Sequence, residues 1–472
     1  MNILALIVLG ATLGYACFEH AGVEPESWIP CLVAIGAIGA LYFLFPRRER
    51  TPRPDRIAAI AGYAVLAVAA FQVAPLPAGL VRALSPARWE LMRATEPVAG
   101  APPRWMALSA APYVSAQWAL TLAGFLVVFL IVRDLAARLR HHPWAALWPL
   151  LIVVGLEALL GFYQSYGGGG TSEATGTYNS RDHFAGLLEM VLPFAAMYAL
   201  AILQRDREPH RWPAAQAVKA CAMLAIAALI LVGIVFSLSR MGFFCALAAL
   251  FVCGTLTLGA RNWRMDDVVA APLWRRMLPM ALVAVVALLG FVFLPTDPLI
   301  ARFSDFAHMD NETPDTRAQL WRDTGLLIRD YPVFGCGLGA YESCFLRYKT
   351  VAPMNTADFA HNDYVQVLAE LGLVGFAAGF VFVFRILARA GRSVLYARSI
   401  DRRYRAIACV AAFTCILLHS FVDFNMYIQA NAFTFAWIAG VASSDMAGPS
   451  GPSREAATAE PEVDSLTPGA AR

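Results

Sequence analysis

Apolar residues gather into twelve stretches along this chain, near 2–18, 28–45, 57–75, 116–132, 144–163, 183–203, 217–238, 241–259, 277–294, 362–384, 405–421 and 427–444. Each runs about 17–23 residues, the length an α-helix rising about 1.5 Å per residue needs to cross ~30 Å of hydrocarbon. The polar connections between them alternate in kind. Arginines cluster after the second stretch (Arg47, Arg48, Arg50, Arg53, Arg56) and after the fourth (Arg133, Arg138, Arg140). They cluster again after the sixth (Arg205, Arg207, Arg211), the eighth (Arg261, Arg264, Arg275, Arg276) and the tenth (Arg385 to Arg405). Basic residues stay on the cytoplasmic side of a membrane, so these connections and both termini are expected there. The opposite face then receives 19–27, 76–115, the glycine-rich 164–182, the turn 237–242, the long 295–361 and the junction 419–427.

Composition agrees with an all-α polytopic membrane protein of about twelve transmembrane helices with one large extracytoplasmic loop. The chain is 59% hydrophobic and 15% charged, which excludes a soluble domain built on one core. A net charge of +3 carries little information beside the placement of the charges, and no nucleic-acid partner is expected. Residues 1–446 read as one integral membrane domain, and 447–472, rich in Pro, Gly, Ala and acidic residues, as a disordered cytoplasmic tail. Met1–Phe18 lacks a basic leader and a small-residue cleavage site, so it reads as a retained first helix. The nine cysteines follow no zinc spacing. Cys336 and Cys344 both fall on the extracytoplasmic side, as a disulfide or as two free thiols.

Candidate chemistry lies on that same side. Thr316-Arg317-Ala318-Gln319 has the form of a capping box, and Leu320, Thr324, Leu327, Ile328 and Tyr331 follow at helical spacing until Pro332. An anion at that helix start would meet backbone N–H groups and Arg317 together. Pro332 to Gly339 holds three alternating glycines, a tight turn rather than a dinucleotide fingerprint. His361-Asn362-Asp363-Tyr364 opens the tenth helix, where the positive end of the helix dipole favours a neutral imidazole able to act as a base. Gly372 and Gly375 then permit close helix packing. Ser239-Arg240 forms the turn between two helices, an arginine in a connection where basic residues are disfavoured. Arg181 enters the sixth helix beside Asp182, a candidate internal partner. No Asp-x-Asp, His-Glu-x-x-His, Gly-x-Ser-x-Gly or Walker A sequence is present, so arginines rather than a metal are the candidates for balancing phosphate charge.

Five segments together resemble the O-antigen ligase and O-antigen polymerase superfamily of bacterial envelope glycan enzymes. They are Asn179 to Gly186, Ser237 to Arg240, Arg317 to Trp321, Tyr331 to Gly337 and Ala360 to Gln366, within a core of about 160–380 and a loop of about 295–361. The resemblance implies a C-type membrane glycosyltransferase of the bacterial inner membrane, with its active site facing the periplasm. It implies an undecaprenyl-diphosphate-linked glycan donor, an inverting reaction, and no metal or cofactor. His361 would be the catalytic base, Arg240, Arg317 and Arg181 would bind the diphosphate, and Asn362, Tyr364 and Ser239 would support them. Ligases resemble His-Asn-x9-Gly-x2-Gly followed by two threonines; here Phe376-Ala377 follow Gly375. The acceptor is therefore open between lipid A core, another glycan repeat (a polymerase) and a protein (an O-oligosaccharyltransferase). A lipid-linked glycan transporter is the non-enzymatic alternative; it would place charges near mid-membrane.

Overall fold

A computed structural model describes residues 2–45, 51, 54–100, 103–139, 141–166, 173–205, 214–262, 314–350 and 357–444. The described chain is helical apart from one two-stranded pair, β1 Leu76–Pro77 against β2 Trp105–Met106. The helices are α1 Asn2–Phe18, α2 Pro25–Leu44, α3 Arg56–Val73, the short α4 Ala78–Leu84, α5 Pro86–Ala94 and α6 Glu96–Ala99, then α7 Pro112–Arg138 and α8 Trp148–Tyr166. They continue as α9 Arg181–Arg205, α10 Ala214–Phe236, α11 Arg240–Asn262, α12 Pro314–Asp330, α13 Tyr341–Phe345, α14 Asp363–Tyr396, α15 Ile400–His419 and α16 Gln429–Ser443. Eight described helical segments are long and apolar enough to cross a membrane. The expected spans at 277–294 and the tail 447–472 lie outside the described residues.

Helix α9 is the centre of the bundle. It packs against α8, α10, α11 and α15, and Phe184, Leu187, Leu188, Val191, Phe194 and Ala195 along it are buried all round. A helix apolar on every face belongs inside such a bundle. The outer helices instead show large apolar side chains at their surface, among them Ile29, Val33, Phe251, Phe380 and Phe384, as a lipid-facing wall requires. Helix α1 packs against α2 and α8, with Leu9, Leu13 and Cys17 buried.

Two expectations are corrected here. The tenth span extends to Tyr396, so Arg385, Arg389 and Arg392 lie on the helix and not in the following connection. Arg385 and Arg389 reach Asp55, the N-cap of α3, at 2.7 and 2.8 Å, which neutralises their charge beside the bundle. Gly372 does not serve smooth helix packing. Its φ of 62° and ψ of −172° break α14 within its third turn.

The break is filled by the glycine-rich turn. Cys336 and Gly337 donate their N–H groups to the carbonyls of Ala369 and Glu370, at 2.9 and 3.1 Å. Beyond the break, Leu373 and Val374 donate to the carbonyls of Pro332 and Val333, at 2.9 and 3.2 Å. Backbone groups freed inside an apolar bundle must find partners, and the turn supplies four of them. Glu370 completes the joint, accepting from Gly339 N, Tyr427 Oη and Gln366 Nε2 within 2.9 Å. A methyl group at residue 335 would sit 2.2 Å from the Glu370 carbonyl oxygen, and Gly335 itself has a φ of 72°, so glycine is required there.

Candidate functional site

The candidate residues occupy helix beginnings at one end of the bundle. Arg181 is the first residue of α9 and Arg240 the first of α11. Arg317 lies in the first turn of α12, and His361 stands two residues before α14. Each beginning offers the positive end of a helix dipole, an environment that favours anions.

The two halves of this end meet at 420–427, between α15 and α16. Asp363 N donates to the Ser420 and Asp423 carbonyls, at 2.9 and 3.2 Å, while Asn362 Nδ2 donates to Phe421 O at 3.0 Å. The Asn362 side-chain Oδ1 caps α14 by accepting from Tyr364 N and Val365 N. Tyr364 Oη donates to Leu417 O at 2.7 Å, tying α14 to α15. Arg317 Nη1 reaches Val422 O at 3.1 Å from the other side. The described part of α12 begins at Pro314, so Thr316 lies within the helix. The expected apolar stripe is present: Leu320, Thr324, Leu327 and Tyr331 are buried.

His361 and Arg317 therefore converge on adjacent residues of one loop. Asp423 stands between two imidazoles, with its Oδ1 3.7 Å from His361 Nδ1 and 3.5 Å from His183 Nε2. Those are ion-pair distances, too long for hydrogen bonds, and neither ring nitrogen has a closer partner. Burial pushes the Asp423 carboxyl up, but His183 and then His361 outweigh it and hold the group well below the ordinary carboxylate range. Phe424 presents its ring to both histidines, at 4.6 and 4.9 Å, and stacks on Phe359 at 4.1 Å. Asp423, His183 and Phe424 had no assigned role in the sequence reading. Their signal is weak: His183 sits inside the Asn179 to Gly186 segment, and Asp423 is one acid in a junction of nine residues.

Arg240 reaches the same end along α9. Gly242, two residues on, approaches Ala185 so closely that a methyl group at 242 would stand 2.5 Å from the Ala185 Cβ. Ala185 lies one turn beyond Arg181 on α9. Ser239 caps α11, its Oγ accepting from Gly242 N at 3.1 Å, and Ser237 Oγ accepts from Ser239 N. Arg181 pairs with Glu173 rather than with its neighbour Asp182. Glu173 precedes a turn fixed by Gln164 and Glu157, which accept from the N–H groups of Thr175, Gly176 and Thr177.

Four non-glycine residues among those described have positive φ, and two are in this site: Leu238 at 55° and His361 at 47°. A left-handed conformation costs a non-glycine residue roughly 1–2 kcal/mol, so both turns are held by their surroundings. Cys336 and Cys344 are buried free thiols, and the Cys344 contact and burial push Cys336 well above its ordinary range.

The fold defines a multi-pass membrane protein, with cationic and histidine side chains gathered as a candidate site at one edge of the bundle. Residues 225–380 match the family model described as O-antigen ligase, a match that supports the likeness to the O-antigen ligase and polymerase superfamily. The matched stretch holds Arg240, Arg317 and His361; Arg181, His183 and Asp423 lie outside it. No curated protein matches the chain.

Proposed function

We propose that the protein is a glycosyltransferase of the bacterial inner membrane, using an undecaprenyl-diphosphate-linked glycan at the periplasmic face. The observation that carries this reading is the arrangement around His361. Its Nδ1 faces the ionised Asp423, Arg317 is anchored one residue away, and Arg181 and Arg240 head the neighbouring helices. With Nδ1 directed at the carboxylate, Nε2 is the nitrogen available to a substrate.

In this reading His361 Nε2 takes the proton of an acceptor hydroxyl as its oxygen attacks the anomeric carbon. The bond from that carbon to the phosphate oxygen breaks, and the lipid diphosphate leaves with the electron pair. Attack opposite the leaving group inverts the anomeric centre. Arg240, Arg317 and Arg181 receive the diphosphate charge, which guanidinium groups bind through paired N–H donors. Asp423 is a positioning residue that orients the ring and offsets the imidazolium charge, as a carboxylate behind a catalytic histidine does. Asn362, Tyr364 and Ser239 hold the turns. The acceptor is a glycan, the lipid A core or a protein.

The test is replacement of the chromosomal gene by His361→Ala, followed by gel analysis of envelope glycans and immunoblotting of the protein. Loss of a general base predicts a fall of about 10²- to 10⁴-fold in transfer at unchanged protein level. Long chains made but left unattached indicate ligation, and accumulated single repeats indicate polymerisation. A normal glycan profile removes the assignment.

A further inference from the structure

Beneath the site, three side chains from three helices bring different donor atoms together. Glu189 of α9, Cys245 of α11 and His419 of α15 each offer one ligand atom, and these atoms lie within 4.8 Å of one another. All three residues are buried, with Glu189 fully enclosed. His419 Nδ1 stands 3.1 and 3.2 Å from the two Glu189 carboxylate oxygens. Cys415, one turn before His419, turns its Sγ to the Glu189 carbonyl at 3.3 Å and is buried in the same seam. The reaction proposed above uses none of these groups.

We infer that Glu189, Cys245 and His419 form a structural zinc site that clamps α9, α11 and α15 below the 420–427 loop. The donor set is one carboxylate oxygen, one imidazole nitrogen and one thiolate sulfur, the three ligand types Zn²⁺ takes. Ligands about 2.0–2.3 Å from a common tetrahedral ion lie roughly 3.3–3.8 Å apart, so small side-chain movements suffice. Charge favours the same conclusion. A dication with one carboxylate, one thiolate and a neutral imidazole is neutral overall, which an apolar bundle tolerates. The clamp has a use: α9 begins with Arg181 and His183, α11 begins with Arg240, and His419 leads straight into the loop bearing Asp423. It fixes the helices that carry the site while staying outside the chemistry, and it does not depend on the glycosyltransferase reading.

The test uses full-length protein purified in detergent without a metal-affinity step, incubated with zinc sulfate, desalted and assayed by inductively coupled plasma mass spectrometry. One zinc per chain is expected. Cys245→Ser should fall below a tenth of that value, whereas Cys221→Ser, which changes an exposed thiol, should keep it. Cys245→His preserves a donor and should retain zinc, which separates loss of a ligand from loss of fold. Cobalt loading should give a thiolate charge-transfer band in the wild type and none in Cys245→Ser. Less than a tenth of an equivalent in the wild type, or equal zinc in Cys245→Ser, overturns the site.

Discussion

At the scale of single residues, the candidate site centres on a carboxylate placed between two histidines. Asp423 is held well below the ordinary carboxylate range, so it is ionised across any pH the cell envelope meets. A depressed carboxyl adds stability that is complete above about pH 4 and is lost only as pH falls through its folded value in strong acid. Asp423→Asn keeps the shape and removes the charge. We expect kcat for glycan transfer to fall on the order of tenfold to a hundredfold, with its pH profile displaced as His361 loses its counter-ion. A profile and rate equal to wild type would show Asp423 to be a bystander. His361 and the arginines stood out in the sequence as candidates by their types and neighbours, and the structure sets them at helix beginnings. Asp423 was not, since its pairing with residues 62 and 240 positions away is a fact of tertiary packing.

At the scale of elements, the joint between the broken α14 and the glycine-rich turn is the feature hydropathy could not foresee. An apolar run reads the same whether or not its backbone breaks, and Gly372 inside it resembles any packing glycine. The alternating glycines of 335–339 were visible as a turn; that the turn enters the bundle to satisfy the break was not. Gly372→Ala would need a φ of 62° and would bring a methyl group 2.4 Å from the Val333 carbonyl. A loss of about 2–4 kcal/mol follows from strain and backbone clash together. Thermal unfolding in detergent would show it as a lowered Tm, and an unchanged Tm would mean the joint yields. The pair of strands and short helices between α3 and α7 also escaped the sequence reading, because each is too short for its period to register.

For the whole molecule, helix lengths and apolar composition made the polytopic all-α architecture readable. The arginines do more than mark a face. Burial pushes the Asp55 carboxyl up, but Arg385, the Ala58 N–H and Arg389 outweigh it and hold it well below the ordinary range. This ties α3 to α14 at the end opposite His361. The two ends should lie on opposite sides of the membrane. Glu342→Cys, in the exposed part of α13, should react with a membrane-impermeant maleimide in cells with a permeabilised outer membrane. Arg398→Cys, between α14 and α15, should react only after the inner membrane is opened. Labelling of both from outside would end the topology.

The left-handed backbone at His361 has a practical corollary. A glycine at this position rests in that conformation at no cost, while alanine, like histidine, must be forced into it. His361→Gly should therefore give a protein about 1 kcal/mol sturdier in denaturant than His361→Ala, though equally inert. The form best suited to trapping a donor for imaging is then one whose missing side chain has also relaxed the chain that carried it.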